Sequence, residues 1–293
     1  MSYTFTDGKY QVYVVSDFGH GNDPSSAYSR SETIAFEVGK ILVPFSTATT
    51  KELATMINAY YDGAITLEQI KSVWSIGDTR TVHMSAMSAV GVSESHRAQS
   101  VEMSILDFNH DILTTPINGK TKALISLNQK NVLRDANVSD HDGRNNTEIG
   151  YINPTDTNDG GWRGCTRRAW CNSIYYPAIE NGIRKLVKKV DKESTIGNES
   201  STIEITSDYV WLLSEYELWG STQRGITREG SFYPYFNTYG RNKLPTWDSS
   251  RPTSTYWLRS PAVANLFCIM NGTGTAGRYY PSNTNGIACN YCL

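Results

Sequence analysis

Residues 256–293, which read YWLRSPAVANLFCIMNGTGTAGRYYPSNTNGIACNYCL, decide how the rest of the chain is interpreted. Trp257 and Leu258 are apolar side chains typical of a buried strand, and Pro261 prevents that strand from continuing as a paired ladder. Arg259 carries a planar fork of donors, which we expect to bind backbone carbonyls or a carboxylate. The glycines that follow permit tight turns, and the closing CNYCL is expected to return as a core strand. The stretch therefore predicts a fixed frame around a segment with few constraints of its own.

The composition of the 293-residue chain points to uncharged contact chemistry at its surface. Charged residues make up 19%, below the roughly 25% of average soluble proteins, whereas Tyr (18) and Trp (7) are frequent. In antibody loops, Tyr supplies rigid contact area while Ser, Gly and Asn adapt to the partner. The net charge of -2 gives no electrostatic reason to expect binding to nucleic acid or to an anionic membrane.

The N-terminal sequence bears on where the protein is made. MSYTFTDGKY is polar and lacks the basic and apolar regions of a signal peptide, and no apolar run is long enough to span a bilayer. We therefore expect synthesis and folding in a cytoplasm, which is compatible with later release in a virion.

Five cysteines occur in the chain, at positions 165, 171, 268, 289 and 292. An odd number without a signal peptide argues against a disulfide framework. Cys289 and Cys292 form a C-x-x-C, which is half of a zinc site, but no second pair of ligands with suitable spacing completes it. We expect reduced, buried thiols, no metal and no cofactor.

The first 72 residues are interpreted as a small α+β module for attachment or oligomerisation. Alternating apolar and polar positions predict a strand over 9–19. Thr49 and Glu52 have the spacing of a capping box, as have Thr66 and Gln69, so each pair predicts the start of a short helix.

Residues 73–293 form the second predicted domain, which contains the variable segment 256–293. Strands are predicted within TRTVHMSAM, QSVEMSILDFNHD, TKALISLNQKNVL and IEITSDYVWLL. The longest helical pattern covers 167–190, and Pro177 is expected to break it in the first turn of a second helix. Ser214 and Glu217 form a third capping box, for a single turn that Gly220 ends.

Motifs that carry catalysis are missing from the sequence, which has no G-x-S-x-G, H-E-x-x-H, P-loop or dinucleotide fingerprint. Asp107, His110 and Asp111 cluster in LDFNHD, where a metal or acid/base role is conceivable, but a histidine satisfied at a strand end is the simpler reading. DHDG at 140–143 lacks the ligand spacing of an EF-hand. The sequence predicts a binding protein and not an enzyme.

A resemblance to a known family covers roughly residues 61–293. WSIGDTRTVHMSAM, SVEMSILDFNHD, GGWRGCTRRAWCN, LLSEYELWG and YWLRSP with NGIACNYCL follow one another in this order. This series resembles a family of phage and prophage tail-tip or adhesin proteins with a C-type-lectin fold. The C-terminal part resembles the variable proteins of diversity-generating retroelements, whose last few dozen residues are rewritten by mutagenic reverse transcription.

The resemblance implies an α+β, C-type-lectin-like domain that displays a variable surface to a bacterial cell-surface receptor, either protein or glycan. Mutation in this family falls on adenines, usually in AAY codons, which cannot then encode Lys, Glu, Gln, Met or Trp. Of these residues, only Met270 occurs between 262 and 283, at a position expected to belong to the frame. A Ser/Thr/Gly-rich loop that lacks such residues by chance is the alternative. The positions predicted to vary and to contact the ligand are Ala262, Val263, Asn265, Leu266, Phe267, Ile269, Asn271, Thr273, Arg278, Tyr279, Tyr280, Ser282 and Asn283.

The resemblance also implies a setting and partners. The protein is expected in a phage tail, in contact with other tail proteins and as a homo-oligomer, with a trimer as the guess by analogy with lectin-fold tail tips. The sequence departs from the family by lacking the usual proline near its end. It also lacks Glu-Pro-Asn and Gln-Pro-Asp, so calcium-dependent sugar chelation is not expected.

Two other functions remain open at this point. One is a structural virion or baseplate protein without a ligand. The other is an oxidase of the formylglycine-generating type, which shares the lectin-like architecture and relies on a cysteine pair, here Cys289 and Cys292.

Overall fold

A computed structural model describes residues 9–12, 34–37, 42–88, 95–133, 150–245 and 254–293. Contacts divide the chain into two compact units, residues 1–42 and 43–293. The DHDG sequence at 140–143 lies outside the described residues, as does most of the strand predicted over 9–19.

Short strands and short helices make up the described chain. The strands are β1 (Lys9–Val12), β2 (Ile34–Glu37), β3 (Thr79–Met84), β4 (Gln99–Phe108), β5 (Ile112–Ile117), β6 (Lys120–Lys122), β7 (Ile125–Gln129), β8 (Asn131–Val132), β9 (Val190–Thr195), β10 (Ile203–Asp208), β11 (Leu244–Pro245), β12 (Tyr256–Pro261), β13 (Phe267–Met270), β14 (Ala276–Tyr279) and β15 (Asn290–Cys292). The helices are α1 (Thr50–Tyr61), α2 (Leu67–Lys71), α3 (Gly161–Gly164), α4 (Thr166–Trp170), a π-helix (Cys171–Tyr175), α5 (Tyr176–Ala178), α6 (Asn181–Arg184), α7 (Glu215–Trp219) and α8 (Tyr235–Thr238).

In the first unit, β1 and β2 pair antiparallel. The second unit begins with α1 and α2, and both predicted capping boxes are confirmed, since the Thr49 and Thr66 side chains accept from the third residue of each helix. The Tyr61 hydroxyl donates to the carbonyl of Leu293 at 3.2 Å, so α1 is tied to the end of the same unit. This compact unit begins at Val43, and the functional division predicted between residues 72 and 73 stays a prediction.

Two antiparallel four-stranded sheets dominate the second unit. The first has the strand order β15-β7-β4-β3, and the five residues of β7 are all buried. The closing residues therefore do return as a core strand, which pairs with β7. The second sheet has the order β10-β9-β5-β6. Its strand β9 directs Val190, Lys192 and Ser194 into the interior.

The C-terminal segment forms a three-stranded antiparallel sheet in the order β12-β13-β14. All residues of β12 and β13 are buried, whereas β14 lies at an edge and is partly exposed. Gly274 has φ +88° in the turn between β13 and β14, a conformation that glycine adopts without steric cost.

The helical pattern predicted over 167–190 is only partly confirmed. Pro177 lies in the first turn of α5, as predicted, but helical turns continue from Thr166 through the π-helix to Ala178, so the run does not end at Pro177. The break comes at Ile179, whose backbone is extended, and α6 ends at Arg184. Val190, predicted as the last residue of the helical pattern, instead begins β9 and pairs with both neighbouring strands of the second sheet.

The single turn α7 forms as predicted. Ser214 caps it, Glu217 completes the capping box, and Gly220 ends it in the left-handed conformation. Together these elements confirm an α+β protein with mostly antiparallel sheets. Among the described residues, no helix is both long and apolar enough to cross a bilayer.

Candidate functional site: the C-terminal surface

Trp257 anchors β12 in the interior. Its side chain is fully buried, and its indole N–H donates to the carbonyl of Gly150 at 2.6 Å. Its backbone N–H donates to the carbonyl of Gly286 at 3.0 Å, which ties the strand to the segment before β15. Burial of a large aromatic ring with its N–H satisfied makes this position a strong contributor to stability.

Arg259 is the second anchor, and the structure confirms both partners expected for it. Its guanidinium group is fully buried and binds Glu217 through two hydrogen bonds of 2.5 and 2.9 Å. It also donates to the carbonyls of Leu212 (2.9 Å) and Glu193 (3.1 Å). Burial raises the pKa of Glu217, but the charges of Arg259 and Lys192 more than offset this, so the pKa is lowered. The pair is therefore charged and links β12 to α7 and β9.

The turn between β12 and β13 is stabilised by hydrogen bonds to residues that are distant in the chain. Ala264 and Asn265 have φ of 55° and 61°, which is uncommon for residues other than glycine. The buried side chain of Asn158 donates to the carbonyls of Ala262 (2.6 Å) and Leu266 (3.0 Å). Glu199 accepts from the Ala264 N–H at 3.1 Å. Two loops distant in the chain, one before α3 and one between β9 and β10, therefore fix the backbone of this turn and leave its tip open to solvent.

The thirteen positions predicted to vary divide into three groups. Six have exposed side chains and are called the exposed set below: Asn265, Thr273, Arg278, Tyr279, Tyr280 and Asn283. Four are half-buried: Val263, Leu266, Asn271 and Ser282. The remaining three are buried: Ala262, Phe267 and Ile269.

Burial at Ala262, Phe267 and Ile269 corrects the expectation that these side chains face solvent. Each is at most 1% exposed. Phe267 and Ile269 lie on β13, the middle strand of its sheet, where both faces are covered. Met270 is also buried, as expected for the frame. These side chains contribute to folding and not to a contact surface.

Arg278, Tyr279 and Tyr280 form the most prominent part of the exposed set. The two tyrosines are 46% and 51% exposed, among the largest exposures of apolar or aromatic side chains in the described chain. Within the residues that the structure describes, none of these three side chains takes part in a hydrogen bond or an ion pair. Their backbone is nevertheless fixed by pairing of β14 with β13.

Supporting residues from distant parts of the chain border this surface. Asp156 accepts from the Ser282 hydroxyl at 2.5 Å, and the carbonyl of Pro281 accepts from the backbone N–H groups of Ile152 and Asn153. Sequence reasoning missed these residues, as it missed Asn158. The sequence gives little indication of their role, because Asp and Asn are common in loops and the partners of these residues are more than a hundred positions away in the chain.

A separate pocket of about 160 Å³ lies at the second sheet, near His110, Asp111, Lys192 and Glu217. Lys192 binds Asp111 at 2.7 Å and Glu217 at 2.6 Å. Burial lowers the pKa of Lys192, but the two carboxylates raise it by more, so the ammonium group stays charged.

His110, which lines this pocket, stacks on Tyr233 with 4.0 Å between the ring centroids. Its Nδ1 lies 3.7 Å from Asp111. Asp111 also accepts from the hydroxyls of Ser126 and Tyr233. The cluster predicted at LDFNHD is thus largely a structural ion network. In the described part of the chain, no group of three His, Cys, Asp or Glu residues is arranged to hold a metal ion.

The five cysteines are free and buried, as expected. Cys289 lies beside Cys171, with 3.8 Å between the sulfurs. Cys292 instead contacts Ser126 and Asp111, at 3.4 Å each. The C-x-x-C sequence therefore directs its two thiols to different neighbours.

Comparison with protein families gives one result. Residues 126–290, more than half of the chain, match a family described as a domain of unknown function, DUF6273. The chain belongs to this family. The DUF6273 match includes β12–β14 with the exposed set, the capped turn α7 and the Cys171–Cys289 pair. No curated protein and no solved structure matches the chain.

Proposed function

We propose that this DUF6273 protein is a receptor-binding protein of a phage or prophage, which contacts a bacterial surface molecule through the C-terminal surface. The single observation that carries the proposal is the separation of roles within one short segment. Arg259 is fully buried and binds Glu217 and two backbone carbonyls. Arg278, on the same three-stranded sheet, is exposed and binds no partner in the described chain.

This separation is what a variable binding surface requires. Side chains that change must not hold the fold together, because most substitutions in a core destabilise it. Here the backbone of β14 is fixed by pairing and the turn at Ala264 by Asn158, while Arg278, Tyr279 and Tyr280 add side chains that bind no partner in the described chain. Tyr and Arg are, with Trp, the residue types enriched at binding hot spots.

The finer fold assignment, a C-type-lectin-like domain, is part of the proposal. It is supported by the antiparallel sheets, the short helices and the return of the C-terminal strand to the core. The burial of Ala262, Phe267 and Ile269 narrows the proposed contact residues to the exposed set and its half-buried neighbours.

Affinity of one such surface for its receptor is expected to be modest. Several copies on one virion raise the avidity by orders of magnitude when the geometry permits simultaneous engagement. We propose a homotrimer in the phage tail, with the N-terminal part of the chain in contact with other tail proteins.

Binding to whole cells tests the proposal. Fluorescently labelled protein is incubated with a panel of bacterial strains, and bound protein is measured by flow cytometry. The variant carrying Arg278→Ala, Tyr279→Ala and Tyr280→Ala should lose at least about tenfold in binding to a strain that binds the wild type, because each position is a candidate hot spot.

A matched control comes from Ile203→Ala with Ile205→Ala on β10, which removes two other exposed apolar side chains from a different sheet. This control should bind like the wild type. Equal binding by the triple variant, or no strain bound by the wild type, would favour a structural virion protein without a ligand. A reverse transcriptase gene beside a near-copy of the final coding segment would establish diversification.

A further inference from the structure

The thiols of Cys171 and Cys289 meet in the core, although the two residues are 118 positions apart in the chain. Cys171 is the first residue of the π-helix, and Cys289 immediately precedes β15. Both side chains are fully buried, and their sulfur atoms are 3.8 Å apart. The neighbouring thiols have other contacts, since Cys165 accepts from the Arg168 N–H and Cys292 lies against Asp111.

We propose that Cys171 and Cys289 are the site of a reversible disulfide that forms when the protein leaves a reducing cytoplasm. A disulfide has an S–S length of about 2.05 Å, so the two sulfurs at 3.8 Å must approach by roughly 1.8 Å. The adjacent C-x-x-C pair is not the site, because Cys292 is directed toward Ser126 and Asp111.

The oxidant is a small disulfide such as oxidised glutathione, and the reaction balances in two exchanges. One cysteine loses its proton, and its thiolate attacks a glutathione sulfur, which releases one glutathione and leaves a mixed disulfide. The second cysteine then loses its proton and attacks the protein sulfur of that mixed disulfide, which releases the second glutathione. The two cysteines lose two electrons and two protons, and glutathione disulfide takes up both.

The surroundings of the pair determine the rate of this reaction. Burial raises the pKa of Cys171 well above its usual value, and the positive charge of the nearby Arg167 opposes that rise only in part. Attack by a thiolate is therefore slow in the closed protein and requires transient opening near β15, a strand of three residues. Once formed, the buried bond is shielded from reductants.

The proposed bond would close a loop that contains β9, β10 and the whole three-stranded sheet. Constraint of so long a loop stabilises a fold chiefly by lowering the entropy of the unfolded chain. The frame of the C-terminal surface would gain stability from residues that contact no ligand. Formation of the bond on release from the cytoplasm rests on the proposed function in a virion, whereas the pairing of the two thiols does not.

Mass spectrometry of the full chain tests the proposal. The purified, reduced protein is incubated with oxidised glutathione, free thiols are blocked with N-ethylmaleimide, and peptides are mapped without reduction. The expected product is a peptide pair linked through Cys171 and Cys289, which dithiothreitol separates again. The apparent melting temperature of the oxidised protein should rise by about 5 °C or more.

Variants distinguish this bond from incidental oxidation. Cys289→Ser should abolish the linked peptide and the temperature shift, whereas Cys268→Ser, which removes a buried thiol on β13, should retain both. The peptide map of the wild-type protein remains informative even when a variant fails to fold. The proposal is overturned if wild-type protein gives no linked pair, a Cys289–Cys292 link, or a mixture of pairs without preference.

Discussion

Replacing Arg259 by leucine should destabilise the protein by about 3–5 kcal/mol, the cost of removing one partner from a buried ion pair. Glu217 would lose two hydrogen bonds, and the carbonyls of Leu212 and Glu193 would each lose a donor in the interior. Lys192 still lies 2.6 Å from Glu217 and neutralises part of its charge, so the loss should not exceed this range.

The matched control is Arg278→Leu, which removes the same charge from the exposed edge strand β14. A surface substitution away from special features changes stability by about 0.5 kcal/mol or less. The two variants share the chemistry of the change and differ in the burial and the bound partners of the arginine. Their comparison therefore measures what the frame contributes.

Urea unfolding followed by tryptophan fluorescence gives both values, because the midpoint shifts at constant slope when only stability changes. A loss of 3–5 kcal/mol corresponds to a decrease of roughly 6–20 °C in melting temperature for a unit of this size. Similar losses for the two variants, or a loss below about 1 kcal/mol for Arg259→Leu, would refute the division into frame and exposed set.

Three further predictions follow from individual contacts. Phe267→Ala should cost about 3–5 kcal/mol in urea unfolding, because this side chain is fully buried; a loss near zero would restore it to the contact surface. Glu215 accepts from the backbone N–H groups of residues 223–225, so Glu215→Gln should speed hydrogen exchange at those amides, whereas unchanged exchange would contradict that role. Burial lowers the pKa of His110, but Asp111 raises it more, so the net shift is upward from 6.5. Its contribution to stability should be complete below pH 6.5 and lost as the pH rises through the raised value, and His110→Gln should remove this part of the pH profile measured by urea titration.

Local patterns were enough to predict the elements that local chemistry controls. All three capping boxes and the strands at β3, β4, β7 and β10 were correct, because a cap or an alternating pattern needs only neighbouring residues. The role of Arg259 was also predictable, since a guanidinium beside buried apolar residues must find acceptors.

Burial on β13 was not predictable in the same way. Alternation along a strand indicates which side chains share a face, but not whether a second layer covers that face. Phe267 and Ile269 were expected to be exposed and are buried. The helix predicted to reach Val190 failed for a similar reason, because pairing of that residue in the second sheet outweighed a weak helical preference.

The sequence by itself determined the α+β class, the capped turns and several strands, because each depends on residues close together in the chain. Only the tertiary structure decided which thiols meet, which loop fixes the turn at Ala264, and which of the thirteen positions lie inside. Those outcomes depend on contacts between residues that are far apart in the chain. Asn158 and Ala262 are separated by 104 positions, and Cys171 and Cys289 by 118. The residues adjacent to these positions in the sequence do not indicate such contacts, because the contacts form only when the sheets pack together.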